Sequence, residues 1–419
     1  MFGNYKGILS VIGALFQQLT LFSLFSFANI CTSIGKKTNA STTLSFFLNP
    51  ITNIYMCIFC FIGGFSVRHL GIHITIIISG LSIALGSYFL LFSTNIYLDF
   101  IITILYGFGF GISMTAAVSN ACRYYPNIRG LITAICGGVG GNLGSALCNF
   151  MNSIYKQDCD KYLKFHIIFM IAGTLIAITF ITKYEEKKKN DLNNHLNEYE
   201  SNNVIETPNT QLESEITKSN EEPNEIPLRV ILLHCRVYFI LLLFFCSCFV
   251  QGFIMTVGYE FGVKKVNIEH SRMGIIFTIM SLTGCIAGPI WGYIHDKLHF
   301  KKTLMLVNIL SMINSGLIFL TKNNFITYGF SIVFNGNLNT GAFAMIFPHV
   351  SRVFGFKYAG DLYAVVVLST GISTLIGSVI LYIIYTDLSS CIVVLFIGAV
   401  LNFIGFVLCF FEKDAVFIV

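Results

Sequence analysis

The chain has 419 residues, of which 55% are hydrophobic and only 11% are charged, and its mean hydropathy is +0.74. A soluble domain carries roughly 25% charged residues. This composition excludes a soluble enzyme, a disordered chain and a disulfide scaffold, and it predicts a protein that crosses a membrane many times. The net charge is +5, and 11 of the 21 acids lie in 184–227. The rest of the chain is therefore basic, which predicts contact with anionic lipid rather than with nucleic acid.

Twelve segments are long and apolar enough to cross a bilayer as helices, which takes roughly 20 residues. We number them spans 1 to 12, and the predicted ranges are 7–31, 46–66, 72–93, 98–121, 129–152, 162–183, 230–259, 271–294, 302–321, 325–347, 359–385 and 390–411. The polar segment 184–227 cannot bury apolar area, so it is predicted to be a disordered cytoplasmic linker. The predicted domains are a bundle in 1–183, this linker, and a second bundle in 228–419.

The basic residues predict how the chain is oriented in the membrane, and an internal repeat predicts that its two halves are related. With both termini in the cytoplasm, 17 of the 26 Lys and Arg residues fall on the cytoplasmic side, as the positive-inside rule favours. Gly107 and Gly336 lie 229 positions apart in spans 4 and 10, and Arg123 and Arg352 repeat that spacing at the ends of these spans. Two related six-helix halves are predicted, an arrangement found in transporters.

The loop after span 8 has a recognisable pattern. It reads Gly-Tyr-Ile-His-Asp-Lys-Leu-His-Phe-Lys-Lys from Gly292, and it resembles the G-x-x-x-D-[RK]-x-G-[RK]-[RK] loop of the major facilitator superfamily. The copy after span 2 begins at Gly64 but has Arg68 in place of the acid, and the copy after span 8 has His299 in place of the later glycine. The resemblance implies a latch at the cytoplasmic face, for which the candidates are Arg68, Arg123, Arg129, Gly292, Asp296, Lys297 and Arg352.

A second pattern covers spans 4 and 5. A glycine-rich stretch from Tyr106 to Ser113 leads to Arg-Tyr-Tyr-Pro-Asn-Ile-Arg-Gly-Leu at 123–131, followed by five glycines between 137 and 144. This resembles the oxalate/formate antiporter and monocarboxylate porter branch of that superfamily. The resemblance implies an all-α fold of twelve transmembrane helices in two pseudo-symmetric bundles. It also implies transport of small carboxylates such as pyruvate or lactate.

The cavity residues of that branch are matched poorly. Relatives that carry carboxylates place a base on span 8 or span 11, but the span 8 position is Gly288, and span 11 has no base. An anion would therefore need other donors, and a neutral sugar, amino acid or drug-like solute remains an alternative. The candidate solute-binding residues are Gln17, Gln18, Asn142, Gln251 and Asn339.

The expected function is passage of a small organic solute by alternating access, with a monocarboxylate as the first choice. Facilitated diffusion or exchange is favoured, and proton symport through His166, His234 or His349 is an alternative. We expect no catalytic residues, cofactor or metal, because paired acids, a metal cluster or an activated serine are not found within the spans. A non-transporting membrane sensor is a rival. A monomeric, multi-pass integral membrane protein is expected, in a plasma or organelle membrane that the sequence does not specify.

Overall fold

The computed structural model describes residues 5–41, 44–45, 47–155, 158–184, 228–264, 266–320, 324–355, 358–384 and 389–412. These residues form helices and the short turns that join them. The predicted linker 184–227 lies outside the described residues except for Tyr184, whose backbone N–H donates to Asn120 Oδ1 at 3.0 Å.

The first half contains six spans. Span 1 is an α-helix over Tyr5–Leu21 that tightens into a 3₁₀-helix over Phe22–Asn29, and the short helix Cys31–Lys37 follows it. Spans 2 to 6 are Leu48–Leu70, Ile72–Phe92, Ile96–Tyr124, Arg129–Ile154 and Cys159–Phe180. Span 4 is broken after Ser113, and span 5 contains a π-helix over Ala134–Gly140. Both departures from α-helix lie in glycine-rich sequence.

The second half contains the other six. Leu228–Leu233 leads into span 7, Cys235–Lys264. One long helical stretch, His270–Leu320, contains spans 8 and 9, and His299 interrupts it with φ 62 and ψ 172. Spans 10, 11 and 12 are Phe325–Phe354, Ala359–Ile384 and Ser389–Leu408.

The count of twelve follows from helix lengths. Ten helices of the described part are long and apolar enough to cross a membrane. One of them contains the break at His299, and its 51 residues would extend about 77 Å, more than twice the roughly 30 Å hydrocarbon core. It therefore crosses twice. The 30-residue helix Phe325–Phe354 supplies the remaining crossing, and the predicted all-α, twelve-helix fold class is confirmed.

The most extensive contacts between the two halves are made by two pairs of antiparallel spans. Spans 5 and 8 approach so closely that a methyl group added at Gly138 would lie 3.1 Å from the Cα atom of Gly288. Small residues permit such contact between helices in lipid. Spans 2 and 11 form the second contact, in which the Cys57 thiol lies 3.4 Å from the Val367 carbonyl oxygen.

Equivalent positions of the halves have equivalent roles. Asn120 of span 4 donates to Ser10 Oγ of span 1 at 2.7 Å and to the Thr182 carbonyl after span 6 at 2.8 Å. His349 of span 10, 229 positions later, lies 3.4 Å from Glu412 after span 12, and Arg236 of span 7 pairs with the same carboxylate at 3.1 Å. Each half thus ties its first and last spans to its fourth, with neutral groups in one half and ionisable groups in the other.

Candidate functional site

A cavity of about 80 Å³ lies between the two halves. Spans 1, 4 and 5 contribute from the first half, and spans 7, 8, 10 and 11 contribute from the second. Its polar lining residues are Gln18, Thr115, Thr133, Asn142, Ser145, Ser281, Asn339, Thr340 and Tyr363. The volume exceeds that needed by one water molecule several-fold, so it admits several waters or a small organic solute.

Amides and hydroxyls form the polar wall. Gln18 Nε2 donates to the Met114 carbonyl at 2.9 Å, which fixes the amide of span 1 against span 4. Asn142 Nδ2 donates to the Gly138 carbonyl at 2.6 Å and to Thr340 Oγ1 at 3.3 Å. The second of these bonds joins the two halves across the cavity, so the wall depends on how the halves are placed.

Aromatic rings form the apolar wall. The rings of Phe22 and Phe25 lie 4.9 Å apart, and Phe22 also packs on Phe110 at 5.3 Å. In the second half the rings of Phe347 and Tyr363 lie 6.1 Å apart. Rings packed at such distances hold each other in place, so each half presents a firm apolar surface to the cavity. The cavity also contains three methionines, whose thioethers adapt to solutes of different shape.

The described residues that line the cavity carry no formal charge. Gly288, at the position where the resemblance to carboxylate porters implies a base, instead packs against the Cα atom of Gly138. The cavity can therefore donate and accept hydrogen bonds through neutral groups, and its described part offers no counter-ion to an anion.

Three of the five predicted binding residues share this cavity, namely Gln18, Asn142 and Asn339. The other two lie elsewhere, contrary to expectation. Gln17 is fully buried within the first half and donates to Ser113 Oγ at 2.9 Å, and Gln251 is fully buried within the second and donates to Ser311 Oγ at 3.1 Å. Adjacent residues on a helix differ by about 100° in direction, and here Gln17 points to Ser113 inside the first half while Gln18 points to the cavity.

Four further residues line the cavity and were not among those predicted, namely Phe22, Phe343 and Phe347 through their rings and Thr340 through its hydroxyl. Phenylalanine is abundant throughout this chain, with 41 residues, and it gives no local signal. Phe343 could have been predicted from Asn339, because residues four positions apart lie on the same face of a helix.

Two contacts join the halves at one end, which the basic residues predict to be cytoplasmic. Arg68 Nη1 lies 3.0 Å from Asp361 Oδ2. At the other pair of spans, the Asp296 carboxylate packs against the Cα atom of Gly130, and Gly292 packs against Gly130 and Ala134. Asp296 therefore lies beside the beginning of span 5, where a carboxylate is stabilised by the helix macrodipole.

Two further latch candidates, Arg352 and Lys297, make contacts within the second half. Arg352 Nη1 lies 2.9 Å from His299 Nδ1, and the Lys297 ammonium lies 5.7 Å from the centre of the Tyr293 ring. Arg123 is exposed at the end of span 4, and Arg129 begins span 5. The partner of Arg68, Asp361, was not among the predicted residues.

A buried polar cluster lies inside the first half, apart from the cavity lining. His166 is 2% exposed, and its two ring nitrogens each lie 2.8 Å from a serine hydroxyl, Nε2 from Ser23 and Nδ1 from Ser87. The Ser87 hydroxyl also lies 2.8 Å from Tyr106 Oη. A hydroxyl can donate or accept, so both nitrogens are satisfied with the ring neutral.

Comparison with known proteins supports this architecture. Residues 237–416 match the family model described as Major Facilitator Superfamily. The chain is 21% identical over 369 residues to an uncharacterized MFS-type transporter, YhjX of Escherichia coli (strain K12), covering 88% of this chain and 85% of the relative.

Among solved structures, the proton:xylose symporter XylE bound to 6-bromo-6-deoxy-D-glucose is similar in fold. The TM-score is 0.70 at 16% identity, with 97% of this chain and 94% of the symporter covered. Together with the apolar helices, the likeness to this structure identifies a multi-pass integral membrane protein with the major facilitator fold.

Proposed function

We propose that the protein moves a small uncharged organic solute across its membrane by alternating access. The observation that supports this most is the cavity, because it lies between the halves, both halves line it, and its described lining is polar without being charged. A solute held there would contact both bundles at once. Movement of one bundle against the other would then change the side from which the solute can leave.

Electrostatics favours an uncharged solute. Taking a carboxylate out of water costs several kcal/mol unless a partner charge or several hydrogen bonds replace its hydration. The amides of Gln18 and Asn142 already donate to backbone carbonyls, which leaves them fewer donors for an anion. A neutral solute with one or two hydroxyl or amide groups requires fewer, and the aromatic walls accept its apolar part.

The contacts at the predicted cytoplasmic end fit the same mechanism. Arg68–Asp361 and Asp296–Gly130 each bridge the two halves, so both must separate if the bundles rock apart at this end. The charged pair is half in contact with solvent through Arg68, whose side chain is 48% exposed. When the two side chains separate, water can replace the lost ion pair at Arg68. A low free-energy cost of separation is what a contact that forms and breaks in each transport cycle requires.

A monocarboxylate such as pyruvate or lactate is the second candidate. It is favoured by the pattern at 106–131, which resembles the monocarboxylate porter branch. It would bind through Gln18, Asn142, Asn339 and the hydroxyl of Thr340, or enter as the uncharged acid.

Uptake into proteoliposomes tests the proposal. The panel contains a neutral sugar, an aromatic alcohol, a neutral amide, pyruvate and lactate, and protein-free liposomes serve as the control. Saturable uptake of an uncharged solute, with counterflow against the same solute, is expected. Saturable uptake confined to pyruvate or lactate would establish the second candidate instead. Uptake of none of them would overturn the assigned solutes and favour the sensor.

A further inference from the structure

Span 5, which forms part of the cavity wall, changes its helical geometry beside the cavity. Span 5 is α-helical over Arg129–Thr133 and over Gly141–Ile154, and the intervening Ala134–Gly140 is a π-helix. π-Helical turns are rare and occur frequently at functional sites. Here the turn lies beside the cavity, which Thr133, Gly137, Gly138 and Asn142 of this span all line.

The glycines of span 5 differ in what surrounds them. Gly140 packs on span 1, where an added methyl group would lie 2.5 Å from the Leu15 carbonyl oxygen. Gly138 packs on Gly288 of span 8. An added methyl group at Gly137, by contrast, would have no heavy atom within 4 Å among its surroundings. Helix packing therefore explains the small residue at 138 and 140, and it does not explain the small residue at 137.

The space beside Gly137 belongs to the cavity that we assign to the solute. The cavity volume is about 80 Å³, so the three or four carbon atoms of a valine or leucine side chain would fill a large part of it. Bulk at this position would compete directly with the solute, and the first carbon of the added side chain would meet no neighbouring heavy atom within 4 Å. A bare Cα atom here leaves the volume to the solute.

We propose that Gly137 is the residue that sets the size of the solute, an inference that rests on the proposed function of the cavity. The missing side chain leaves room for the body of an uncharged solute whose polar groups reach Gln18 and Asn142. Larger residues at 137 restrict the protein to smaller solutes, in order of side-chain volume.

A graded series tests this assignment. Gly137→Ala, Gly137→Val and Gly137→Leu are compared with the same three changes at Gly316, which is exposed on span 9 and also has no heavy atom within 4 Å of an added methyl group. Uptake and competition are measured for a homologous set of uncharged solutes of increasing size. Thermal unfolding of each purified variant shows whether it folds.

With Gly137→Ala, the largest transported solutes are expected to lose uptake first while the smallest are retained, and Gly137→Leu is expected to lower uptake of all by about tenfold or more. The Gly316 series is expected to match the wild type, and the melting temperatures of the Gly137 variants are expected to stay near it. Gly138→Ala, which meets Gly288, is expected to lower the melting temperature instead.

The outcomes separate this inference from the proposed function. If the wild type takes up uncharged solutes and Gly137→Leu retains the same size range, the size-setting role is overturned while transport stands. If Gly137→Leu loses uptake and its melting temperature also falls as far as that of Gly138→Ala, the residue has a structural role and the inference also fails. If the wild type takes up no solute at all, the proposed function is overturned and this inference with it.

Discussion

Arg68 and Asp361 form an ion pair across the two halves of the molecule, with 3.0 Å between Nη1 and Oδ2. Arg68 lies in the last turn of span 2, and Asp361 lies in the first turn of span 11. Each charge therefore complements the dipole of its own helix as well as its partner. The loop pattern that this region resembles has an acid at the position of Arg68, so here the base is at the end of span 2 and the acid is on the facing helix.

The burial of the two side chains predicts unequal effects of their replacement. Asp361 is 8% exposed and Arg68 is 48% exposed. Arg68→Gln leaves a buried carboxylate unpaired and should lower the free energy of unfolding by about 1–3 kcal/mol. Asp361→Asn leaves a solvated base and should lower it by less than about 1 kcal/mol. Thermal unfolding of both variants checks the order.

Exchange of the two charges is the control for this pair. Arg68→Asp combined with Asp361→Arg restores the attraction but opposes both helix dipoles. Partial recovery relative to Arg68→Asp alone is expected. Additive losses in the double variant would show that the pair does not join the halves.

The backbone of His299 gives a second prediction. His299 has φ 62 and ψ 172, close to the φ 82 and ψ 162 of Gly71, which occupies the equivalent turn of the first half. Such a conformation strains a residue with a Cβ atom by about 1–3 kcal/mol. His299→Gly should therefore raise the free energy of unfolding by about 1 kcal/mol after the loss of its contact with Arg352.

Two further variants control for side-chain loss at this turn. His299→Ala keeps the strain and loses the contact, so it should be less stable than the wild type. Gly71→Ala introduces the strain into the first half and should lower the free energy of unfolding by about 1–3 kcal/mol. If His299→Gly were as unstable as His299→Ala, side-chain contacts rather than the backbone would determine stability here.

Replacement of Asn339 tests the location of the binding site, and replacement of Gln251 is the control. Asn339 lines it, whereas Gln251 is buried within the second half and donates to Ser311. Asn339→Ala should raise the KM for uptake about fivefold, the equivalent of one hydrogen bond of about 1 kcal/mol, and should leave the melting temperature unchanged. Gln251→Ala should lower the free energy of unfolding by about 1–3 kcal/mol. The reverse assignment of the two effects would contradict the location of the site.

His166 allows proton symport to be tested. Both ring nitrogens bond to serine hydroxyls inside the first half, and the residue is not among those that line the cavity. A structural role predicts that His166→Ala lowers the free energy of unfolding by about 1–3 kcal/mol. The same role predicts that the pH dependence of uptake keeps its shape. A flattened pH profile in a folded His166→Gln variant would instead favour proton coupling through this histidine.

The membrane-spanning helices could be predicted from the distribution of apolar residues alone. All twelve predicted spans overlap observed helices, because a helix of about 20 apolar residues is what a bilayer requires. The polar residues after Gly292 predicted that spans 8 and 9 are separate helices. In the structure the helix continues through this region except at His299. The π-helix in span 5 was not predicted, because glycine-rich sequence is compatible with several helical geometries.

The cavity residues were predicted less well than the spans, and the reason is direction. Gln17 and Gln18 are neighbours of the same residue type, but one bonds to Ser113 inside its own half and the other lines the cavity. Arg68 departs from the loop pattern in the sequence, but its partner Asp361 lies 293 positions away in the chain. Hydropathy contains no information on either point.

The sequence by itself determined that this chain crosses a membrane twelve times in two related halves, because apolar length and charge distribution decide insertion one segment at a time. Only the tertiary structure decided which side chains face the space between the halves, which charges meet across it, and that Gly137 opens onto the cavity while Gly138 packs on Gly288. These features depend on the rotation and distance of helices that are far apart in the chain. Rotation and distance are set by packing between surfaces, to which a single segment contributes only one side.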